Sequence, residues 1–172
     1  MVKFQVVPER SQLSLGGKSS LHPIHTSTNE ISGYLEAEML DDGRLDLSVA
    51  PTGRFEIPVE SMKAGNDLYD LEMQRRLDIR RYPNIIAELL GLREVNQAGN
   101  YQASGNLTFH GVTRRFDGEL TVKQLDAQTL EVSGERTFDV RDFNVTPPKL
   151  LMLKVYPEVQ VSLKIMAKRV DS

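Results

Sequence analysis

The stretch Val155-Tyr156-Pro157-Glu158-Val159-Gln160-Val161-Ser162-Leu163-Lys164-Ile165-Met166-Ala167-Lys168 decides the fold class. Every odd position from Val155 to Ala167 is apolar, whereas Glu158, Gln160, Ser162, Lys164 and Lys168 make the even positions mostly polar. A period of two puts one face against a core and the other in water, which is the signature of a half-buried β-strand. A helix would mix Val155 and Val159 with Ser162 on one stripe, so the periodicity rejects it.

The same alternation recurs upstream. In residues 114–123, Phe116, Gly118, Leu120 and Val122 share one face, and Arg115, Asp117 and Glu119 share the other. Leu107 and Phe109 lead into this run across His110-Gly111, where a glycine permits the positive φ of a tight hairpin. Leu107, Phe109, Phe116 and Leu120 are therefore expected inside, and Arg115, Asp117 and Glu119 outside. Further strands are predicted over residues 2–15 (broken near Pro8), 33–40, 44–50, 54–59, 84–92, 101–109 and 128–138. Their joints are short turn sequences such as Asp41-Asp42-Gly43 and Pro51-Thr52-Gly53. Strands at such spacing point to a barrel or a sandwich, and the joints are too short for parallel crossovers. Closure into an antiparallel barrel removes the exposed edges and is favoured.

One segment departs from the pattern. Residues 65–77 read as a helix with Asn66 as N-cap, acids early (Asp67, Asp70, Glu72) and Arg75-Arg76 late, which suits the helix dipole. Tyr69, Met73 and Leu77 stack on one side, while Leu68 and Leu71 point elsewhere. Such a helix is expected to touch apolar material on two sides, as it would across a barrel mouth, the alternative being an ordinary surface helix with ragged patterning. The run 150–153 (Leu-Leu-Met-Leu), following Pro147-Pro148, is expected at the same opening.

Composition narrows the function. With 172 residues, 40% hydrophobic and 26% charged, the chain is long and apolar enough for one folded domain spanning 1–172. The net charge of −3 argues against nucleic acid. The absence of cysteine excludes disulfides, thiolate metal sites and cysteine catalysis. No stretch has the length of a membrane helix or the apolar core of a leader, and with Met1 as the start a cytoplasmic location is expected. His22 and His25 flank Pro23-Ile24 and read as polar loop residues, so no metal site is expected. Gly17-Lys18-Ser19 lacks the upstream glycine of a phosphate loop, because Gln12 holds that position. Nothing calls for a cofactor. The inward strand positions show no convergent polar cluster, which ranks an enzyme behind a binding protein. Arg75, Arg76, Arg80 and Arg81 form the one dense charge feature, able to hold a phosphate or carboxylate by paired hydrogen bonds or to stand as a solvated face neutralised by Asp67, Asp70, Glu72 and Asp78.

Three stretches carry a family resemblance. Arg76-Leu77-Asp78-Ile79-Arg80-Arg81-Tyr82-Pro83-Asn84-Ile85, Gly105-Asn106-Leu107-Thr108-Phe109-His110-Gly111-Val112-Thr113 and Phe138-Asp139-Val140-Arg141-Asp142-Phe143-Asn144-Val145 resemble segments of the YceI-like proteins. The middle one is the most specific, and Ile31-Ser32-Gly33-Tyr34 is a weaker echo. The chain departs from the family in having Asn144 where glycine is usual, Pro147-Pro148, and no leader, although many members are exported. The resemblance implies an eight-stranded antiparallel lipocalin-like barrel that holds a polyisoprenoid, such as a quinone tail or polyprenyl lipid, without catalysis. Phe109, Phe116, Leu120, Val132, Val161 and Leu163 fall on the apolar faces of the clearest strands and are the expected lining. Gly118, Gly134 and Ala87 would leave room beside them. Arg76 and Arg80 are the expected head-group contacts. The alternative is a filled barrel acting as an interaction or stress-related module.

Overall fold

A computed structural model describes residues 1–96, 98–147, 149–150 and 153–170. The chain opens with β1 (Val2–Val6), β2 (Gln12–Ser19), β3 (Pro23–Thr28), β4 (Ser32–Met39), β5 (Leu45–Asp46) and β6 (Thr52–Pro58). Helix α1 (Asp67–Arg76) follows. The second half comprises β7 (Asn84–Asn96), β8 (Asn100–Phe109), β9 (Val112–Asp126), β10 (Thr129–Asp139), β11 (Lys149–Leu150) and β12 (Leu153–Val170).

Eight strands form a closed antiparallel ring in the order β1-β4-β6-β7-β8-β9-β10-β12, with β12 returning to β1. Two pairings of β12 close it. Its last residues pair with β1 (Val6 opposite Ala167), and its earlier part pairs with β2 (Leu13 opposite Leu163). The interruption expected near Pro8 is a single 3-10 turn, Pro8–Arg10, which separates β1 from β2 while both stay on β12. Ser11 ties the turn down: its hydroxyl donates to the Val7 carbonyl at 2.8 Å and accepts from the Met166 amide at 3.0 Å.

Two expectations need correction. The strand predicted over 44–50 shrinks to β5, because the Asp46 carboxylate accepts from the Ser48 amide (3.0 Å) and hydroxyl (2.6 Å). An Asp side chain that satisfies the backbone two residues on makes a turn compete with the ladder. His25, read as a loop residue, lies in β3 opposite Gly16. The predicted helix stands almost as drawn. The Asn66 side chain accepts from the Leu68 and Tyr69 amides, and Leu77 is the C-cap.

Register follows the alternation. Phe116 is partly buried and the neighbouring Arg115, Asp117 and Glu119 are exposed. The β8–β9 connection is the two-residue loop His110-Gly111, with φ of 54° and 74°. Positive φ at both central residues defines the hairpin turn whose twist matches the strands it joins. The His110 ring bonds the Phe143 carbonyl at 3.1 Å and packs edge-on against Tyr82. A Cβ on Gly111 would stand 2.5 Å from the Tyr82 ring. Gly111→Val should therefore lower stability by at least about 1–2 kcal/mol through backbone strain, with the ring clash in addition. Chemical denaturation of the two proteins measures this, and equal midpoints would refute it.

Candidate functional site

The inward-facing residues divide the barrel across its axis. At one end Phe4, Leu35, Ala37, Leu45, Tyr101, Leu130, Ile165 and Ala167 are each 5% exposed or less. The Tyr101 hydroxyl accepts from the Leu45 amide at 3.3 Å, which pins β5 over that end. Toward the other end the same tracks stay only partly buried. Along β12, Ile165 and Ala167 are buried, but Val161, Val159, Pro157 and Val155 keep accessible surface. Along β8, Tyr101 is buried, and Ala103, Gly105, Leu107 and Phe109 are not fully so. Burial of the inward tracks is thus complete at one end and partial toward the other, where a second buried cluster forms around Val59, Leu77, Phe143 and Val145.

The wall toward the partly buried end also differs. Cross-strand pairing of β10 with β9 stops at Ser133–Thr121, although β10 continues on β12 to Asp139 and β9 continues on β8 to Val112. Beyond that point an arginine bridges the seam. Arg136 lies on the inward track, opposite Val161. Its Nε donates to the Asp117 carbonyl (2.8 Å) and its guanidinium to the Thr137 carbonyl (3.1 Å). The guanidinium lies 4.5 Å from the Phe116 ring centroid and 4.6 Å from that of Phe138. Phe116 also meets Phe138 edge-on and stacks on Phe143. Arg114, nearer the open end, donates to the Asp142 carbonyl at 2.9 Å. The parity that marks Val132, Gly134 and Phe138 as inward also marks Arg136, so this cation was readable from the sequence and was overlooked.

The expected lining residues fall on these tracks. Leu120, Val161 and Leu163 pack, partly buried, against the sealed core, and Phe109 and Phe116 join a second cluster around Phe143, Val145, Val59 and Leu77. Val132 sits in the sealed half, buried and paired with Val122 and Ile165. The room expected beside two glycines is taken. A Cβ on Gly134 would stand 2.8 Å from Leu120 Cδ2, and one on Gly118 would meet the Arg136 stem at 3.5 Å. A separate polar groove of about 420 Å³, bordered by Gln12, Ser14, His25, Glu135 and Gln160, lies on the outer face of the wall.

Helix α1 closes on the open end with one side only. Met73 and Leu77 pack in the cluster with Phe109 and Phe143, but Leu68 and Leu71 are 60% and 63% exposed, which corrects the expectation of apolar contact on both sides. Asp70 is buried beneath the helix, where its carboxylate accepts from the Ala64 amide at 2.8 Å. Arg76 donates to Glu72 at 3.0 Å, Arg75 reaches the same carboxylate at 3.3 Å, and Arg80 is exposed. Leu153 is buried, while Leu151, Met152 and Pro148 of the expected mouth segment lie outside the described residues. Asn144 adopts φ 58°, the left-handed conformation that asparagine tolerates, so the family's usual glycine is not required there.

A closed eight-stranded antiparallel barrel with one α-helix packed at its end is an architecture of the lipocalin type. The sequence model of the YceI-like domain matches residues 4–167, and the chain belongs to that family. No curated protein matches it in sequence. Among solved structures it is similar to a polyisoprenoid binding domain from Saccharophagus degradans implicated in plant cell wall breakdown. The identity there is 18%, the TM-score 0.80, and the coverage 99% of this chain and 100% of the other. BcnA of Burkholderia cenocepacia is similar at 20% identity and TM-score 0.78, covering 94% and 98%. A Campylobacter jejuni YceI protein is more distant, at 13% identity and TM-score 0.62, covering 81% and 82%. At these identities the likeness establishes the fold.

Two outcomes follow for the mouth. Arg136→Met removes two hydrogen bonds and two ring contacts, and should lower stability by about 2 kcal/mol in chemical denaturation. Arg136→Lys, without the planar fork, should recover only part of it. Hydrogen bonds from the Arg141 side chain and then its amide hold Asp139 below the usual carboxylate range, and a hydrogen bond from Arg76 does so for Glu72. Carboxylates lowered in the folded state stabilise it above their unfolded pKa of about 4, and that contribution is lost as pH falls through the lowered values. Melting temperature should thus fall on acidification below about pH 4, and the fall should be shallower in Asp139→Asn. A variant that falls as steeply as the parent would exclude Asp139 as a contributor.

Proposed function

We propose that this protein is a non-enzymatic carrier that holds a polyisoprenoid or another long apolar chain in the hollow half of the barrel. The observation that supports the reading is the change of burial along single strands. Ile165 and Ala167 are sealed, whereas Val161 and Val159 on the same face keep accessible surface. An interior floored by a fully buried core and less tightly covered toward α1 suits a linear tail with one polar terminus. Phe109, Phe116, Leu120, Val161 and Leu163 line it, with Val132 beneath. Burying the tail gains about 2.5 kcal/mol per 100 Å² removed from water, so affinity grows with chain length and requires no reacting group. Among the described residues the inward face of this half is mostly aliphatic, aromatic or glycine, with Arg136 and Arg114 as its cations. The similarity to a structure described as a polyisoprenoid binding domain supports the same ligand class.

In this reading the polar terminus of the ligand emerges beside α1, where Arg76 and Arg80 meet it. Native mass spectrometry of protein purified from its host tests the carrier directly: apolar mass should co-purify, and a bare chain that also takes up no added geranylgeraniol would reject it. Val161→Trp fills the lumen and should abolish uptake of both geranylgeraniol and geranylgeranyl diphosphate. Arg76→Ala with Arg80→Ala should weaken the diphosphate roughly tenfold or more and leave the alcohol nearly unchanged, because charge-assisted hydrogen bonds act only on the anion. Equal losses for both ligands would reject the head-group role while leaving the carrier intact.

A further inference from the structure

A single row of residues crosses β10, β12, β2 and β3 on the outer face of the barrel. Glu135 stands opposite Ser162, Ser162 opposite Ser14, and Ser14 opposite Ser27. Leu13 and Leu15, on either side of Ser14, pack toward the core, which fixes the row as outward. The row on one side of it runs Gln160, Gly16, His25, and the row on the other carries Lys164 and Gln12. Serine ends one atom beyond Cβ, whereas Gln160, His25, Lys164 and Gln12 are long side chains and stand exposed. A short row between long ones makes a trough, and a groove of about 420 Å³ follows it. Gly16 keeps the His25 ring close to the floor, since a Cβ there would lie 3.6 Å from its Nδ1. Interstrand spacings make the trough about 14 Å long. Glu135 ends it, where the Ser162 hydroxyl donates to the carboxylate at 3.3 Å.

We propose that this trough binds a neutral oligosaccharide, laid across the strands with its hydroxyls on the serine row. The backbone of the floor has no hydrogen bonds to offer, because β12 and β2 are each paired along both edges. Recognition falls to hydroxyls, two primary amides, an imidazole and one carboxylate. Hydroxyls and primary amides both donate and accept, as sugar hydroxyls do, and the volume suits a small molecule. Charge stands at the margins in both signs: Glu135 and Glu158 with Lys18 and Lys164, and Lys63 bridged to Ser27 beyond the far end. No arginine lies on these rows, so neither a phosphate nor a polycation meets a matching field. An apolar chain has no place there, because Leu15, which borders the groove, turns into the core. An extended peptide would bring backbone groups that seek a free ladder, and the ladder of the floor is already taken. The trough lies outside the barrel, so the proposal is independent of the carrier reading.

An NMR titration of the full chain with cellotriose, maltotriose and triacetylchitotriose tests it. Millimolar concentrations of at least one should shift the backbone amide signals of Ser14, Ser27, Gln160 and Ser162. Ser14→Ile with Ser162→Ile raises the floor at strand positions that β-branched residues suit, and should weaken that binding roughly tenfold or more. Gln12→Ala with Gln160→Ala lowers the walls and leaves the floor untouched. It should weaken binding severalfold, and it keeps the test intact if the floor variant fails to fold. No shift with any of the sugars, shifts confined to other strands, or variants that bind as tightly as the parent would overturn the proposal. So would tetraglycine or spermidine that shifts the same amides at a lower concentration than every sugar, which would assign the trough to a peptide or a cation.

Discussion

The ring depends on the pairing of β12 with β1. Without it the sheet is an open meander with two edges, and the inward faces of eight strands have no common interior. β12 makes closure possible because it is long enough to serve three partners: β10 along one side, β2 and then β1 along the other. The Pro8–Arg10 turn lets β1 and β2 share that single edge. Where β1 meets β12 the ring is tight and the core is dry, with Phe4, Leu130 and Ile165 fully buried. Where β2 takes over, the hairpin it forms with β3 is tied to the segment before α1 by the Ser27–Lys63 bridge and by a hydrogen bond from the Thr28 hydroxyl to that of Ser61 at 2.7 Å. The change of partner along β12 thus coincides with the change from fully to partly buried inward residues.

The same logic explains the arginine in the wall. The pairing of β9 with β10 ends at Ser133–Thr121, and the two strands part beyond it. Carbonyls left by a parted ladder need donors. Arg136 supplies them to Asp117 and Thr137 and covers its own charge with the rings of Phe116 and Phe138. A guanidinium suits this place because it can hydrogen-bond in its plane while its faces lie on aromatic carbon. The aromatic group it joins continues through Phe143 to Phe109, so the seam, the hairpin loop and the turn after β10 are packed as one unit. His110 adds the hydrogen bond that holds this turn, which gives the His-Gly pair of the hairpin a structural role.

The end that α1 covers leaves Leu68 and Leu71 exposed and carries the only α-helix among the described residues. Its helix is fixed by Met73 and Leu77 beneath and by the Asn66 cap, and not by its outer face, which remains available.

Much of the fold was legible because strand alternation is a local property. The period of two in β9 and β12 specified which residues point inward, and Asn66 with its following acids specified where the helix begins. The turn at His110-Gly111 was legible for the same reason, since positive φ there is a demand of two residues and their neighbours. What sequence could not decide is where inward becomes buried. Val132 and Val161 have the same pattern and chemistry, yet one is buried in the core and the other packs against it only partly buried. Their difference is set by which strand closes the ring beside them, a contact between β1 and β12 more than 150 residues apart in the chain. The same holds for Leu68 and Leu71. Their apolar character is local, but whether protein covers them depends on how far the helix settles into the mouth, and only the tertiary packing of Met73 and Leu77 determines that.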